Sequence, residues 1–217
     1  KKRRGQMDGL LELIPKIKQL WEKNREKLIE RGNSIIKSLE KENSRVDSMI
    51  KSSIFDDVFN HLSNSFDTEN GGFGDSPKFP TPHNLIFLLR YGEIERDEWA
   101  LRMVYKTLKE MRKGGIYDHL GYGFHRYATD SKWILPHFEK MLYDQAMLIM
   151  AYTYAYQISK DDYFLRTIKE VIAYIKRNLM SDKSGFYSSE DAEAGEKEGG
   201  YYTWTKREIE EKLGEDS

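Results

Sequence analysis

The sequence predicts an all-α fold of stacked helical hairpins, and three observations predict it. A short Gly- and aromatic-rich phrase recurs after helical stretches: Gly71-Gly72-Phe73-Gly74-Asp75, Gly114-Gly115-Ile116-Tyr117-Asp118 and Ser184-Gly185-Phe186-Tyr187-Ser188. The apolar residues between these phrases keep helical spacing. Helix-starting Pro and Asp and helix-ending Gly fall at the junctions. Repetition on this scale marks helical units that stack on one another. All three loops should therefore emerge at one end of the stack, which becomes the candidate binding face.

The elements follow in order. From Asp8 to about Lys41, Leu10, Leu13, Ile14, Ile17, Leu20 and Trp21, then Leu28, Ile29, Ile35, Ile36 and Leu39, follow helical spacing among many charged residues. Pro15 removes a backbone donor and Gly32 weakens the helix, so a kink or break is expected near one of them. A helix over about 44–66 carries Val46, Ile50, Ile54, Val58 and Leu62 on one stripe. Thr81 is expected to cap the next helix, with Pro82 at its first position. Asp97 should cap a helix that buries Ala100, Met103, Val104, Leu108 and Met111 before Gly114 and Gly115 end it. Beyond a long loop, Pro136 introduces another helix, and Asp161 or Asp162 starts one with Phe164, Ile168, Val171, Ile175 and Leu179 inward. About three hairpins result. Aromatic runs on either side of the acidic stretch 188–199 suggest a short β-hairpin excursion in the last loop, and residues 206–213 start one more helix.

Composition sets limits. The 217 residues suffice for a sizeable core in one or two domains. Thirty-five basic residues against 36 acidic ones give no net field, which argues against general nucleic-acid binding. With no cysteine, the chain can form neither a disulfide framework nor a thiolate metal site. No apolar run approaches the ~20 residues of a membrane span, and Lys1-Lys2-Arg3-Arg4 does not lead into a signal-peptide core. A cytoplasmic protein with no membrane or nucleic-acid partner is expected. The absence of an initiator Met and a final helix with almost no partner read as a fragment.

The chemistry is expected in the loops and helix starts. On a helical wheel His137, Met141, Asp144, Leu148, Ala151 and Ala155 share a face, which puts a carboxylate in an apolar stripe. Such a group needs a partner. Asp144 is either a catalytic or sugar-hydroxyl carboxylate with His137 above it, or an anchor for a loop amide, Arg126 or Lys140. Glu139 is a second candidate acid, or an acid stabilised by the dipole of a first helical turn. Asp118, His119, Phe124, His125 and Arg126 sit in a stretch whose rings, glycines and polar groups suit a polyhydroxylated ligand. Asp75 and Asp118 equally suit turn capping, and Lys78 suits a phosphate or carboxylate. Gln145, Glu190, Asp191 and Trp204 complete the candidate binding set. No clustered spacing supports a metal site, and no cofactor is expected. Glycoside hydrolysis would need two facing carboxyl groups; sugar epimerisation would need a base beside a carbonyl and a second acid or base. Asp118, His137, Glu139 and Asp144 are the candidate catalytic groups.

Residues 71–85, 114–146 and 185–205 together resemble the widespread thioredoxin-domain-containing, spermatogenesis-associated protein 20-like family. That resemblance implies a thioredoxin-like domain followed by an (α/α)6 toroid similar to six-hairpin glycosidases and N-acylglucosamine 2-epimerases. On it, residues 1–43 form a helical linker from the end of a thioredoxin-like domain absent here. Residues 44–217 form the N-terminal half of the toroid. Tyr122 stands where the family tends to have another glycine. Tyr143-Asp144-Gln145-Ala146 is similar to a Tyr-Asp-His-Ala phrase of the epimerases, with Gln145 in place of the histidine. The implied role is carbohydrate-related; the alternative is a non-catalytic helical scaffold serving the thioredoxin-like domain or another partner. A half toroid would also expose faces through which copies could self-associate.

Overall fold

The computed structural model describes residues 8–42, 53–195 and 197–214. Contacts divide the chain into residues 1–50 and 51–217. In the first unit, α1 (Leu10–Glu42) is two helical stretches that meet at a kink, where Asn24 leaves helical geometry at φ −138° and ψ 34°. The break thus falls at neither Pro15 nor Gly32. Asn side chains compete for backbone groups and tolerate non-helical dihedrals, which makes position 24 the weaker point.

The second unit holds α2 (Ile54–Ser65), α3 (Pro82–Glu95), α4 (Glu98–Lys113), α5 (Leu142–Ser159), α6 (Asp162–Tyr174) and α7 (Lys206–Leu213). The expected positions Val46 and Ile50 lie outside the described residues. The α3–α4 and α5–α6 hairpins stack through α3 on α5, and α2 packs on α3 and α4. This is the expected stack of about three hairpin layers, with α2 as the described part of the first. This is the helical layering of an α/α toroid. The core between these helices is formed by Leu85, Leu88, Met103, Leu108, Leu148 and Phe164.

Several junctions follow local chemistry. Asp97 accepts from the Ala100 amide at 2.8 Å, and Asp161 from the Tyr163 amide at 3.0 Å. The Thr205 hydroxyl and Glu208 form a reciprocal capping box at α7. Thr81 does not cap α3: its backbone is left-handed, at φ 41°, and its side chain accepts no capping bond. Pro82 does hold the first position there. The final turn of the α6 rod, Ile175–Leu179, is a π-helix that still buries Leu179.

The largest departure concerns Pro136. It starts no helix; residues 136–141 are extended, and α5 begins at Leu142. β2 (Pro136–His137) pairs antiparallel with β1 (Tyr127–Ala128), and β3 (Lys140–Met141) pairs with β4 (Ser189–Glu190). Long-range pairing on both halves outweighs the local helical spacing. In the last loop a hairpin does form, from β5 (Glu193–Ala194) and β6 (Lys197–Glu198). It is built from the acidic centre and not from the flanking aromatic runs, because Gly195, at φ 71°, supplies the turn backbone there.

Gln145 shows how the loops are fixed to the helices. Fully buried, it accepts from the Phe124 amide at 2.8 Å and donates to the Phe124 carbonyl at 2.7 Å. Gln145→Ala should leave both backbone groups buried and unpaired. A loss on the order of 2–4 kcal/mol is expected by urea denaturation.

Candidate functional site

The extended segment 136–141 is a wall one strand thick. His137 and Glu139 lie together on one side, 3.7 Å apart, while Phe138 and Lys140 both meet Tyr202 on the other, the alternation of an extended chain carried through the link between β2 and β3.

On the first side lies a polar mouth. The His137 ring stacks on Tyr127 at 4.9 Å and 17°, and Tyr127 packs on Phe79 at 4.8 Å. His137 Nδ1 is 2.6 Å from a Glu198 oxygen, and its Nε2 is 3.7 Å from Glu139. Arg126 donates to Glu139 at 2.8 Å. The strands leading into α3 and α5 meet here: Lys78 and Ala128 exchange backbone bonds of 2.8 and 2.9 Å, and Ala128 opposes Pro136. The start of α5 lies beside these groups, since the Asp144 carboxyl feels both the Arg126 and the Glu139 charge. Thr81 Oγ1 and Asp144 Oδ2, one from the start of α3 and the other from that of α5, are buried side-chain oxygens without a hydrogen-bond partner among the described residues. Asp144 is 8% exposed. Burial pushes its carboxyl up to about 6, with the Arg126 charge opposing and the Glu139 charge adding.

The other side is closed by a buried ammonium. Lys140 Nζ, 1% exposed, donates to Asp118 and to the Tyr122 carbonyl, each at 2.8 Å. It also lies over the rings of Tyr174 and Tyr202, at 4.6 and 5.0 Å. Burial lowers the pKa of this amine while Asp118 opposes the shift. Burial works to raise the Asp118 carboxyl, yet the Lys140 ammonium and the Gly121 and Leu120 amides hold it below the ordinary value. His125 is buried between Phe138 and Tyr202, with Nδ1 3.1 Å from the Phe138 carbonyl. Burial and the Lys140 charge depress it to about 3, so the ring is neutral. Outside this layer is a cleft of about 540 Å³, lined among others by Asp118, Leu120, Tyr201, Tyr202 and Trp204.

The structure thus brings Arg126, His137, Glu139 and Asp144 to the mouth, and Asp118, His125 and Trp204 to the opposite side. His137 and Asp144 do not share a helical face, and Glu139 lies in no helical turn, because the helix starts after both His137 and Glu139. Lys140 pairs with Asp118 and not with Asp144. Glu190 accepts from Tyr174 at 2.6 Å and Asn178 at 2.7 Å. Phe124 and Gln145 belong to the interior. Lys78 is buried against Asp67 at 2.6 Å and the Ser131 carbonyl at 2.9 Å. His119 is exposed beside Arg112 and the Gly114 carbonyl. Asp75 is exposed on the first loop, and Asp191 accepts from the Glu193 amide. Sequence reasoning missed Phe79, Tyr127, Tyr202 and Glu198. The alternation of His137, Phe138, Glu139 and Lys140 could have flagged the wall; nothing local marks Glu198 among its acidic neighbours. Among the described residues no group of His, Asp and Glu is arranged to hold a metal ion, and no helix is long and apolar enough to cross a membrane.

The architecture is that of an α/α toroid, as comparison with solved structures shows. The cellobiose 2-epimerase from Spirochaeta thermophila matches 64% of this chain and 38% of its own, with a TM-score of 0.57 and 17% identity. An unsaturated glucuronyl hydrolase specific for heparin matches 64% of this chain and 42% of its own, with a TM-score of 0.53 and 15% identity. In sequence, the likeness to the spermatogenesis-associated protein 20-like family holds along nearly the whole chain. The chain is 40% identical to spermatogenesis-associated protein 20 of Homo sapiens over 222 aligned positions, 95% of its length. It is 37% identical to the uncharacterized protein B0495.5 of Caenorhabditis elegans over 96% of its length. The chain spans 28% of the human relative and 30% of the nematode one. No protein-family profile matches it.

Two titrations test this geometry. A carboxyl raised in the folded state binds protons that the unfolded chain has lost, so Asp144 removes stability as pH rises from about 4 through 6. The loss reaches roughly 3 kcal/mol at ~1.4 kcal/mol per unit. Asp144→Asn should flatten the urea midpoint over that interval. The His125 ring resonances should stay unshifted from pH 8 to pH 5 in NMR titration, as its depression to about 3 requires.

Proposed function

We propose that this segment supplies part of a carbohydrate-processing site, with the mouth around His137 and Asp144 performing acid–base chemistry on a bound sugar. The observation that carries the reading is the Asp144 carboxyl: buried, unpartnered at Oδ2 and raised to about 6. A carboxyl in that condition is partly protonated near neutrality and has a proton to give. Phe79 and Tyr127 offer ring faces to a sugar ring, and Arg126 and Glu139 offer hydrogen-bonding groups to hydroxyls. In this reading His137 takes the proton from the carbon beside a sugar carbonyl. The C–H electron pair moves into the new C=C bond of an enediol, and Asp144 protonates the carbonyl oxygen. Returning a proton to the other face gives an epimer; returning it to the neighbouring carbon gives an isomer.

The fold likeness to sugar epimerases agrees with this chemistry but by itself supports only the architecture. Glycoside hydrolysis would draw on Asp144 and Glu139, but Glu139 is already engaged by Arg126, and Asp118 and Glu190 are held by Lys140, Tyr174 and Asn178. A scaffold role is the second reading. It is favoured by the internal pairing of Lys78, Lys140 and Gln145.

The test uses the full-length protein. Incubation with reducing mono- and disaccharides in deuterated water should exchange the proton beside the carbonyl for deuterium, with Asp144→Asn at least about 100-fold slower. Thermal stabilisation by the same sugars should accompany exchange. Neither exchange nor stabilisation with any sugar would favour the scaffold; release of a reducing end would favour hydrolysis.

A further inference from the structure

The acidic hairpin of the last loop reaches the mouth at one atom. Glu198, on β6, places a carboxylate oxygen 2.6 Å from His137 Nδ1. An ionised carboxylate can only accept a hydrogen bond, so at this distance Nδ1 carries the proton. In the neutral ring the lone pair is then on Nε2. That nitrogen is 3.7 Å from the nearer Glu139 oxygen, too far for a hydrogen bond, and the same oxygen is already engaged by Arg126 at 2.8 Å.

The position of Glu198 is built into the packing. Its neighbour Gly199, at φ 68°, lies so close to the Phe138 ring that an added Cβ would sit 2.5 Å from it. The Gly199 amide donates to the Ala192 carbonyl at 2.8 Å. Adjacent residues on the two strands therefore meet as pairs, Glu198 with His137 and Gly199 with Phe138. The imidazole plane is held on its other side by the Tyr127 stack.

We propose that Glu198 is a positioning residue: its carboxylate fixes His137 as the Nδ1–H tautomer and leaves Nε2 as the proton acceptor of the mouth. The ring nitrogen state stands on geometry alone, and its use in turnover rests on the sugar reading above. The charged groups around His137 are Glu198 from β6, and Glu139 and Arg126 from the mouth; the neutral His125 lies beyond the wall. Glu198 touches no sugar in this arrangement and acts through the imidazole.

The experiment is long-range ¹H–¹⁵N NMR of the histidine rings in the full-length protein at a pH where His137 is neutral, with His137→Gln assigning the signal. The wild type should show the Nδ1–H tautomer. Glu198→Gln keeps an accepting oxygen and should retain it, whereas Glu198→Ala should move the ring toward Nε2–H. Glu193→Ala, on the partner strand, should change nothing. In sugar proton exchange, Glu198→Ala should lower kcat by about tenfold or more with KM within about threefold, and Glu198→Gln should recover part of the loss. A wild-type Nε2–H tautomer, or a tautomer indifferent to Glu198→Ala, would overturn the proposal. The expected tautomer pattern without exchange in any variant would uphold Glu198 as the positioning group and overturn the sugar reading instead.

Discussion

One buried cation organises the loop end of this molecule. Lys140 leaves water entirely, which is costly for an ammonium, and the cost is offset by a charged oxygen, a carbonyl and two ring faces. Those partners come from three different parts of the chain. Asp118 and Tyr122 come from the second glycine phrase and its loop, Tyr174 from the end of α6, and Tyr202 from the segment after the hairpin. The backbone of Lys140 adds a fourth tie, pairing with Glu190 in the third loop. Because His137 and Glu139 alternate with Phe138 and Lys140, seating the ammonium also sets where the mouth residues stand. The clamp is thus a structural tie on one side of the strand and sets the position of His137 and Glu139 on the other.

The loop around this clamp accepts backbone strain to keep its carbonyl in place. Tyr122 sits at φ 67°, a left-handed conformation that usually selects glycine. The next residue, Gly123, is also left-handed and lies against the Tyr174 ring, where a Cβ would approach within 2.6 Å. Two successive left-handed residues turn the chain so that the Tyr122 carbonyl points at Lys140, while Asp118 closes the turn from below through the Leu120 and Gly121 amides. The tyrosine at 122 therefore preserves the turn that a glycine would form more easily, and its ring packs on the core.

What could be read in advance was what is decided locally. The starts of α4 and α6 are written in Asp97 and Asp161, and the stripes that face the core need only helical spacing. The extended wall is different: Pro136 is acceptable as a first helical residue or as a strand residue, and only the pairing at the two ends of the segment, Pro136 with Ala128 and Met141 with Ser189, decides between them. The mouth shares this dependence. His137, Glu139, Arg126 and Asp144 were visible as chemistry-bearing residues, yet the wheel that grouped two of them assumed a helix from Pro136, and α5 starts at Leu142. Glu198 was invisible because its significance comes from a pairing 61 positions away along the chain. The toroid itself was legible through the resemblance of the loop phrases, since periodicity alone yields stacked hairpins without saying how they close.

The strand-thick wall has a consequence for how such a sequence can change over time. Individual positions between Pro136 and Met141 can vary in chemistry as long as each side receives a fitting group. The segment resists change in length: with both ends paired, one residue gained or lost between them would break the alternation, so that His137 and Lys140 could not both keep their own sides. Drift here is confined to substitution, whereas the neighbouring turn at Gly195 is free to lengthen, and a lineage could reshape what the mouth admits through that turn while the wall stays in register.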